Sequence, residues 1–302
     1  MVYFIYSDKY YLDWPGHIFP GTKFRLLYEK LLVEKIITPA NLLEPVPVRE
    51  EEVRLVHTVA YLARLRELTR EPMRGLIEFE VPVSERVIEA FYYGTGGTIL
   101  AARTALEKKT ATMNLSGGFH HAFSTSGEGF CLINDLAVAI RVMQKEGLVR
   151  RAVVIDCDLH QGNGTAHIFQ NNPDVFTFSI HQENNYPVKQ KSSLDIGLDD
   201  FTSDAEYLSF LKKHIPKIIK SHRPGLILYQ AGVDPYERDQ LGNLKLTKDG
   251  LRERDEFIMR LARQSNIPIV VTLGGGYPPT VEEIVELHAQ TASVLAAIYR
   301  GG

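Results

Sequence analysis

Two carboxylates and an imidazole fall within five residues of this chain, Asp156-Cys157-Asp158-Leu159-His160, directly after the apolar run Ala152-Val153-Val154-Ile155. That run has the unalternating, β-branched character of a strand buried on both faces, so the polar residues stand where a central strand leaves its sheet. Alternate residues of an extended chain point the same way, which lets Asp156, Asp158 and His160 share one side of the exit. Carboxylate oxygen and imidazole nitrogen at that spacing suit a catalytic zinc site whose remaining ligand comes from elsewhere. Taken singly, each residue fits a plainer place in a cap or turn. Asp234, at the end of Gln230-Ala231-Gly232-Val233-Asp234, is the natural third ligand beside Asp158 and His160. Three protein ligands and an open position make a catalytic site rather than a structural one. Asp156 is then left behind the ligands, where a buried carboxylate needs donors or a charged partner.

A second motif, Ser116-Gly117-Gly118-Phe119-His120-His121-Ala122, brings two adjacent histidines. Neighbours on a regular strand face opposite ways, but a glycine-rich loop lets both approach one pocket. With the metal already served, His120 and His121 are assigned to proton transfer, one taking a proton from the attacking water and one giving a proton to the leaving amine. The third motif is Gly274-Gly275-Gly276-Tyr277-Pro278. Its glycines allow close backbone approach, and the tyrosine hydroxyl can donate to a developing oxyanion. Gly94-Thr95-Gly96-Gly97 looks like a phosphate loop but follows no convincing strand, and small residues for helix packing explain it better.

The elements that must position these residues alternate along the chain. Helical periodicity covers 22–36, 50–68, 84–108, 132–146, 205–220, 247–264 and 279–299, and β-rich apolar runs cover 2–6, 152–155, 175–180, 226–229 and 267–273. Strands separated by crossover helices predict a single three-layer α/β/α domain over 1–302 with a mostly parallel central sheet. In such a sheet, ligands bind outside the carboxyl ends of the strands, and the polar motifs all fall there.

Composition narrows the class. The chain has 302 residues, 44% apolar and 24% charged, as expected of a globular domain with an ample core. A net charge of -3 gives no electrostatic reason to expect nucleic acid or an anionic membrane as partner. The two cysteines, Cys131 and Cys157, lie in apolar surroundings and suit a reducing compartment, hence a cytoplasmic protein. The amino-terminal run 2–6 lacks a basic region before it and reads as a strand rather than a signal peptide. No apolar stretch approaches the roughly 20 residues that span a bilayer.

Read together, the motifs resemble the zinc-dependent histone deacetylase family, whose fold is shared with arginases. The matching residues are Gly117-Gly118-Phe119-His120-His121-Ala122, Gly127-Glu128-Gly129-Phe130-Cys131-Leu132-Ile133-Asn134-Asp135, the segment from Asp156 to Gly164, Gln230 to Asp234 and Gly274 to Tyr277, in order over almost the whole chain. The resemblance implies one Zn²⁺ held by Asp158, His160 and Asp234. It implies Tyr277 polarising the amide carbonyl, His121 as the main general base and acid, and His120 beside it with Asp156 as its orienter. Substrate binding would fall to the Gly129 carbonyl, to Gly275, and to Phe130 and Tyr186 as walls of a narrow tunnel for an acylated lysine. A monovalent cation, potassium, is implied at the backbone carbonyls of Asp156, Asp158 and His160 with the Ser179 hydroxyl and the Ile180 carbonyl.

Asn163 departs from the best-known nuclear members, which place an aspartate there to orient the catalytic histidine. An amide accepts the same hydrogen bond without the charge, so it raises the basicity of His121 less. The string His160-Gln161-Gly162-Asn163-Gly164 looks closest to the class IV subgroup and its bacterial relatives, associated with longer fatty acyl groups as well as acetyl. The expected activity is removal of an acyl group from lysine in a protein or peptide, or from a small acylated amine. An arginase-like binuclear manganese hydrolase needs more bridging carboxylates than the chain offers. A silent acyl-lysine binder would be expected to have lost Tyr277 or one of the paired histidines. His57, His167, His214, His222 and His288 read as structural or surface residues. Asp13-Trp14-Pro15-Gly16-His17 resembles the loop at the mouth of the family's pocket, and His181 follows a strand that reaches the same rim.

Overall fold

A computed structural model of the chain describes residues 1–12, 14 and 16–300, so Asp13 and Pro15 of the mouth loop lie outside the described residues. Among those described, eight strands form one sheet: β1 (Tyr3–Ile5), β2 (Leu42–Leu43), β3 (Ala111–Asn114), β4 (Ala152–Asp156), β5 (Val175–Gln182), β6 (Leu194–Leu198), β7 (Leu226–Gln230) and β8 (Ile269–Thr272). Their order is β2-β1-β3-β8-β7-β4-β5-β6, and every pairing is parallel. The inner strands β3, β8, β7 and β4 are buried at every residue, as strands covered on both faces must be.

Helices cover the sheet in two packed series. One holds α2 (Glu50–Val53), α5 (Glu85–Lys108), α6 (Asp135–Lys145) and α7 (Asn163–Phe169); the other holds α1 (Lys23–Val33), α8 (Asp204–His222), α9 (Lys248–Gln264) and α10 (Val281–Tyr299). The result is the three-layer α/β/α arrangement. The remaining helices, α3 (Val59–Leu68) and α4 (Pro72–Phe79), pack on each other. Side-chain oxygens cap several helix starts by accepting an early backbone N–H: Thr58 from Tyr61, Asn134 from Ala137, Thr247 from Gly250 and Thr280 from Glu283. The Gly94-Thr95-Gly96-Gly97 segment lies inside α5, with Gly97 against the Tyr10 hydroxyl.

Several boundaries differ from those read in the sequence. The single helix expected over 50–68 is two, because the chain turns at 54–58 so that His57 Nε2 can accept the Asn134 N–H. Strands β2, β3 and β6 and helices α4 and α7 went unread. Each is short, and β3 carries Thr112 and Asn114, whose polar side chains are satisfied by α5 carbonyls.

Register places the site. Asp156 pairs with Gln230 on one side and Ser179 on the other, and Gln230 pairs with Thr272. The last residues of β4, β7 and β8 therefore lie in one row, and the loops that follow them emerge side by side.

Candidate metal and catalytic site

Asp158, His160 and Asp234 are buried together, each offering one ligand atom within 4.8 Å of the others. His160 Nδ1 lies 3.3 Å from Asp158 Oδ1 and 3.1 Å from Asp234 Oδ2. The other carboxylate oxygens are held by backbone: Asp158 Oδ2 accepts the Gly275 N–H at 2.8 Å, and Asp234 Oδ1 accepts the Leu159 N–H at 2.8 Å. Burial works against charging His160, but hydrogen bonds to the two aspartates and their charges outweigh it and hold the imidazole up to about 10. Burial and the charge of Asp158 push Asp234 up to about 8. Against burial, the charges of His120 and His160 instead hold Asp158 well below the ordinary carboxylate value. The cluster thus keeps one firmly ionised acid beside one that burial pushes toward its neutral form, and their hard oxygens with one ring nitrogen fit a divalent ion such as zinc. Asp158 and His160 come from the β4 exit, whereas Asp234 comes from the β7 exit.

The histidine pair sits on the β3 exit with its rings 4.0 Å apart. Its two members meet opposite surroundings. His120 Nδ1 lies 2.7 Å from Asp156 Oδ2, and His121 Nδ1 lies 2.8 Å from Asn163 Oδ1. Burial disfavours the His120 imidazolium, yet the charges of Asp156 and Asp158 raise it to about 9. Burial, then the neighbouring charges of His120 and His160, push His121 well below the ordinary histidine value. In the metal-free site the surroundings thus favour the charged ring at His120 and the neutral ring at His121. Asp156 stands behind, its Oδ1 taking the Asp158 N–H at 3.1 Å.

Above these groups lies a cavity of about 210 Å³ lined by Glu80, His121, Phe130, His160, Tyr186 and Tyr277 among others. Tyr186 stands edge-on to His121 and to His160, with ring centroids 5.5 and 6.0 Å away, while Phe130 faces Tyr277 at 6.1 Å and His17 at 4.8 Å. Tyr277 is buried, and desolvation with the nearby charges of Asp234 and Asp158 holds its hydroxyl far above 10, so it remains a donor. Its backbone N–H is fixed by Asp239 at 2.7 Å. Gly129 has φ of 54°, and a side chain there would collide with the His121 ring. The Gly129 carbonyl receives the Cys131 thiol at 3.3 Å. Gly275, expected to meet substrate, spends its N–H on Asp158 and its carbonyl on Val233.

The register of β4 and β5 sets Asp156 beside Ser179, so the two runs named for a monovalent cation are neighbours. The Ser179 hydroxyl is 2.9 Å from His181 Nδ1, and burial lowers that histidine to about 4. Ile180 pairs with Ile196 of β6. His17 bonds the Glu80 carbonyl at the mouth of the cavity.

Four groups at the site had no role in the sequence reading. Lys23 is fully buried and donates to the Gly274 carbonyl at 2.8 Å; its spacing with Leu27 and Leu31 marks it as facing inward. Arg254 donates to the Cys157 and Gly232 carbonyls, joining the two loops that carry the metal ligands. Glu80 accepts the Tyr186 hydroxyl and the Gly129 N–H. Glu128 accepts the Asn163 amide. Only Lys23 had a signal that periodicity could have caught.

Comparison with known proteins identifies the family. The histone deacetylase domain family matches residues 17–292. The chain is 39% identical over 287 residues to an uncharacterised protein of Picosynechococcus sp., covering 94% of this chain and 95% of that one. It is 30% identical to histone deacetylase 2 of Arabidopsis thaliana, over 93% of this chain and 76% of the relative. Acetoin utilization protein AcuC of Bacillus subtilis is 31% identical, over 90% of this chain and 76% of its own length. The chain belongs to the histone deacetylase family, on a single parallel sheet of the arginase/deacetylase kind. Within that family it is a hydrolase of the deacetylase type. Among the described residues no helix is long and apolar enough to cross a membrane.

Proposed function

We propose that the protein is a zinc-dependent amidohydrolase that removes an acyl group, acetyl or longer, from the amine of lysine or a similar N-acylated amine. The observation that carries this reading is the division of the histidine pair beside the Asp158, His160 and Asp234 cluster: His120 bonds a carboxylate and His121 an amide, 2.7 and 2.8 Å away. Asp158, His160 and Asp234 would hold the ion, and when bound it supplies Lewis-acid polarisation of the carbonyl and acidifies water. A potassium ion beside β4 and β5 belongs to the same reading.

The remaining chemistry falls to side chains. An acyl-lysine entering between Phe130 and Tyr186 brings its carbonyl toward Tyr277, whose hydroxyl donates to the oxygen as negative charge builds there. Neutral His121 takes a proton from water as the water oxygen bonds to the carbonyl carbon. Protonated His120 steadies the charge that gathers in the pocket. The proton on His121 then passes to the amine nitrogen, the C–N bond breaks, and carboxylate and amine leave. Class IV-like handling of long acyl chains is part of the proposal, and it rests on the likeness of His160-Gln161-Gly162-Asn163-Gly164 to that subgroup.

Zinc-loaded protein offered a series of lysines from acetyl to long-chain acyl, with acetylated polyamines alongside, should release amine from at least one member and lose that activity to a chelator. Binding of acyl-lysine without turnover across the series, or turnover indifferent to chelation, would sink the assignment.

A further inference from the structure

Asn163 leaves His121 without a directly bonded carboxylate, and the side chain one step further out is a carboxylate. The amide oxygen of Asn163 receives two donors, His121 Nδ1 at 2.8 Å and the Gly164 N–H at 3.0 Å. That fixes which way the amide faces. Its nitrogen points outward and donates to Glu128 Oε1 at 3.2 Å. We propose that Glu128 is a positioning residue for His121, acting through Asn163 to complete a histidine–amide–carboxylate chain.

The physical argument is polarisation. A carboxylate that accepts from the amide nitrogen draws negative charge onto the amide oxygen and strengthens the hydrogen bond at the far end. The stronger that bond, the more firmly His121 keeps its proton on Nδ1 and its lone pair on Nε2, the nitrogen left for the reaction. Glu128 is well placed to hold its position. Its backbone and that of Cys131 exchange both hydrogen bonds, at 3.1 and 2.9 Å, around a two-residue turn. Gly129 and Phe130 occupy that turn with φ of 54° and 65°, positive at both central positions as a tight hairpin demands. The same turn thus presents the Phe130 wall to the cavity and the carboxylate to Asn163. Glu128 is only partly exposed, which leaves its field less screened than that of a surface acid.

The inference rests on the reading of His121 as proton carrier, so its test needs one measurement of turnover and one independent of it. The variants are Glu128→Gln, Asn163→Asp and the two combined, all in the full-length zinc-loaded protein. The Glu128→Gln side chain can still accept from Asn163 but carries no charge, so kcat should fall roughly tenfold, the lower end of what losing an outer hydrogen-bond partner costs. KM should change by less than about twofold, because substrate is not touched. Asn163→Asp alone sets two carboxylates against each other and should fall at least as far. The double variant restores one amide and one carboxylate in reversed order, and its kcat should recover above both singles. Wild-type kcat in Glu128→Gln, an effect on KM alone, or a double variant no better than the worse single would overturn the proposal.

The second measurement is the Nδ1–H proton of His121 in ¹⁵N-histidine-labelled protein. Its resonance should move upfield in Glu128→Gln as the hydrogen bond weakens. If the wild type cleaves no acyl amine and the resonance still moves, the functional reading fails and the chain stands; an unmoved resonance overturns the chain whatever the activity.

Discussion

Lys23 donates its ammonium to the Gly274 carbonyl at 2.8 Å from a position with no solvent exposure, one residue along the loop from the Gly275 N–H that holds Asp158. Burial lowers Lys23 to about 8, with the charges of Asp234, Asp158 and Asp239 limiting the drop. The faces of Phe19 and Phe24 lie 4.8 and 5.5 Å from the ammonium. A cation is therefore kept close to the metal ligands, anchored on backbone and aromatic rings instead of on the carboxylates.

Its titration gives a stability prediction for the metal-free protein. A lysine depressed from 10.5 to about 8 binds fewer protons folded than unfolded between those pH values, so its contribution to stability rises as pH climbs through that window. In Lys23→Met that contribution is absent. The stability of the variant relative to wild type should be most favourable at pH 7 and should shrink by roughly 3 kcal/mol toward pH 10.5. Denaturant unfolding at several pH values measures it, and a difference that stays constant would mean the ammonium does not titrate there.

Tyr277→Phe removes a hydroxyl for which no protein partner is found among the described residues. Stability should stay within about 0.5 kcal/mol of wild type. Acyl-lysine turnover should fall by roughly a hundred- to a thousandfold while zinc still binds. Zinc content and kcat measured on one preparation separate the two effects, and full activity would exclude Tyr277 from oxyanion stabilisation.

How much of this was legible in the sequence follows from the range of the contacts involved. The Asp158 and His160 pair announced itself because both leave one strand, and the β4 and β8 runs were read because continuous β-branched residues have few other uses. Strand β6 was missed because its apolar residues, Leu194, Ile196 and Leu198, only alternate with Asp195 and Gly197 over five positions at a half-exposed sheet edge, too short a run to stand out. Glu128 stood only as one residue of a matching motif, with no role of its own, because its partner Asn163 is 35 residues away and meets it only through the hairpin turn. Arg254 looked like one more charge on an amphipathic helix; its burial depends on carbonyls of two distant loops. Periodicity finds elements, whereas these roles depend on where loops meet.

Arg254 also yields a prediction. Its Nη1 donates to the Cys157 carbonyl at 3.3 Å and to the Gly232 carbonyl at 2.6 Å, and its Nε bonds Asp255 at 2.9 Å. Lysine keeps the charge but not the fork that reaches three acceptors. Arg254→Lys should loosen the β4 exit from the β7 exit and weaken zinc binding by about 10- to 100-fold. Competition with a chromophoric chelator reads this directly, and unaltered affinity would show that each loop holds its ligand unaided.

Gly275→Ala tests the closest backbone approach at the site. A β-carbon there would collide with Asp234 Oδ2 and stand 3.0 Å from Asp158 Oδ2, with no flexible chain end to yield because both oxygens belong to the ligand set. Backbone strain does not add to this clash, since φ at this glycine is not positive. Any lower melting temperature of the metal-free variant therefore measures the collision with Asp234 alone. Zinc raises the melting temperature in proportion to the logarithm of its affinity, so a displaced aspartate appears as a smaller zinc-induced shift. A loss of at least about tenfold in affinity is expected from a disturbed ligand of this kind. An undiminished shift would mean that Asp234 can move aside without leaving the ion, and that the glycine is there for the path of the loop alone.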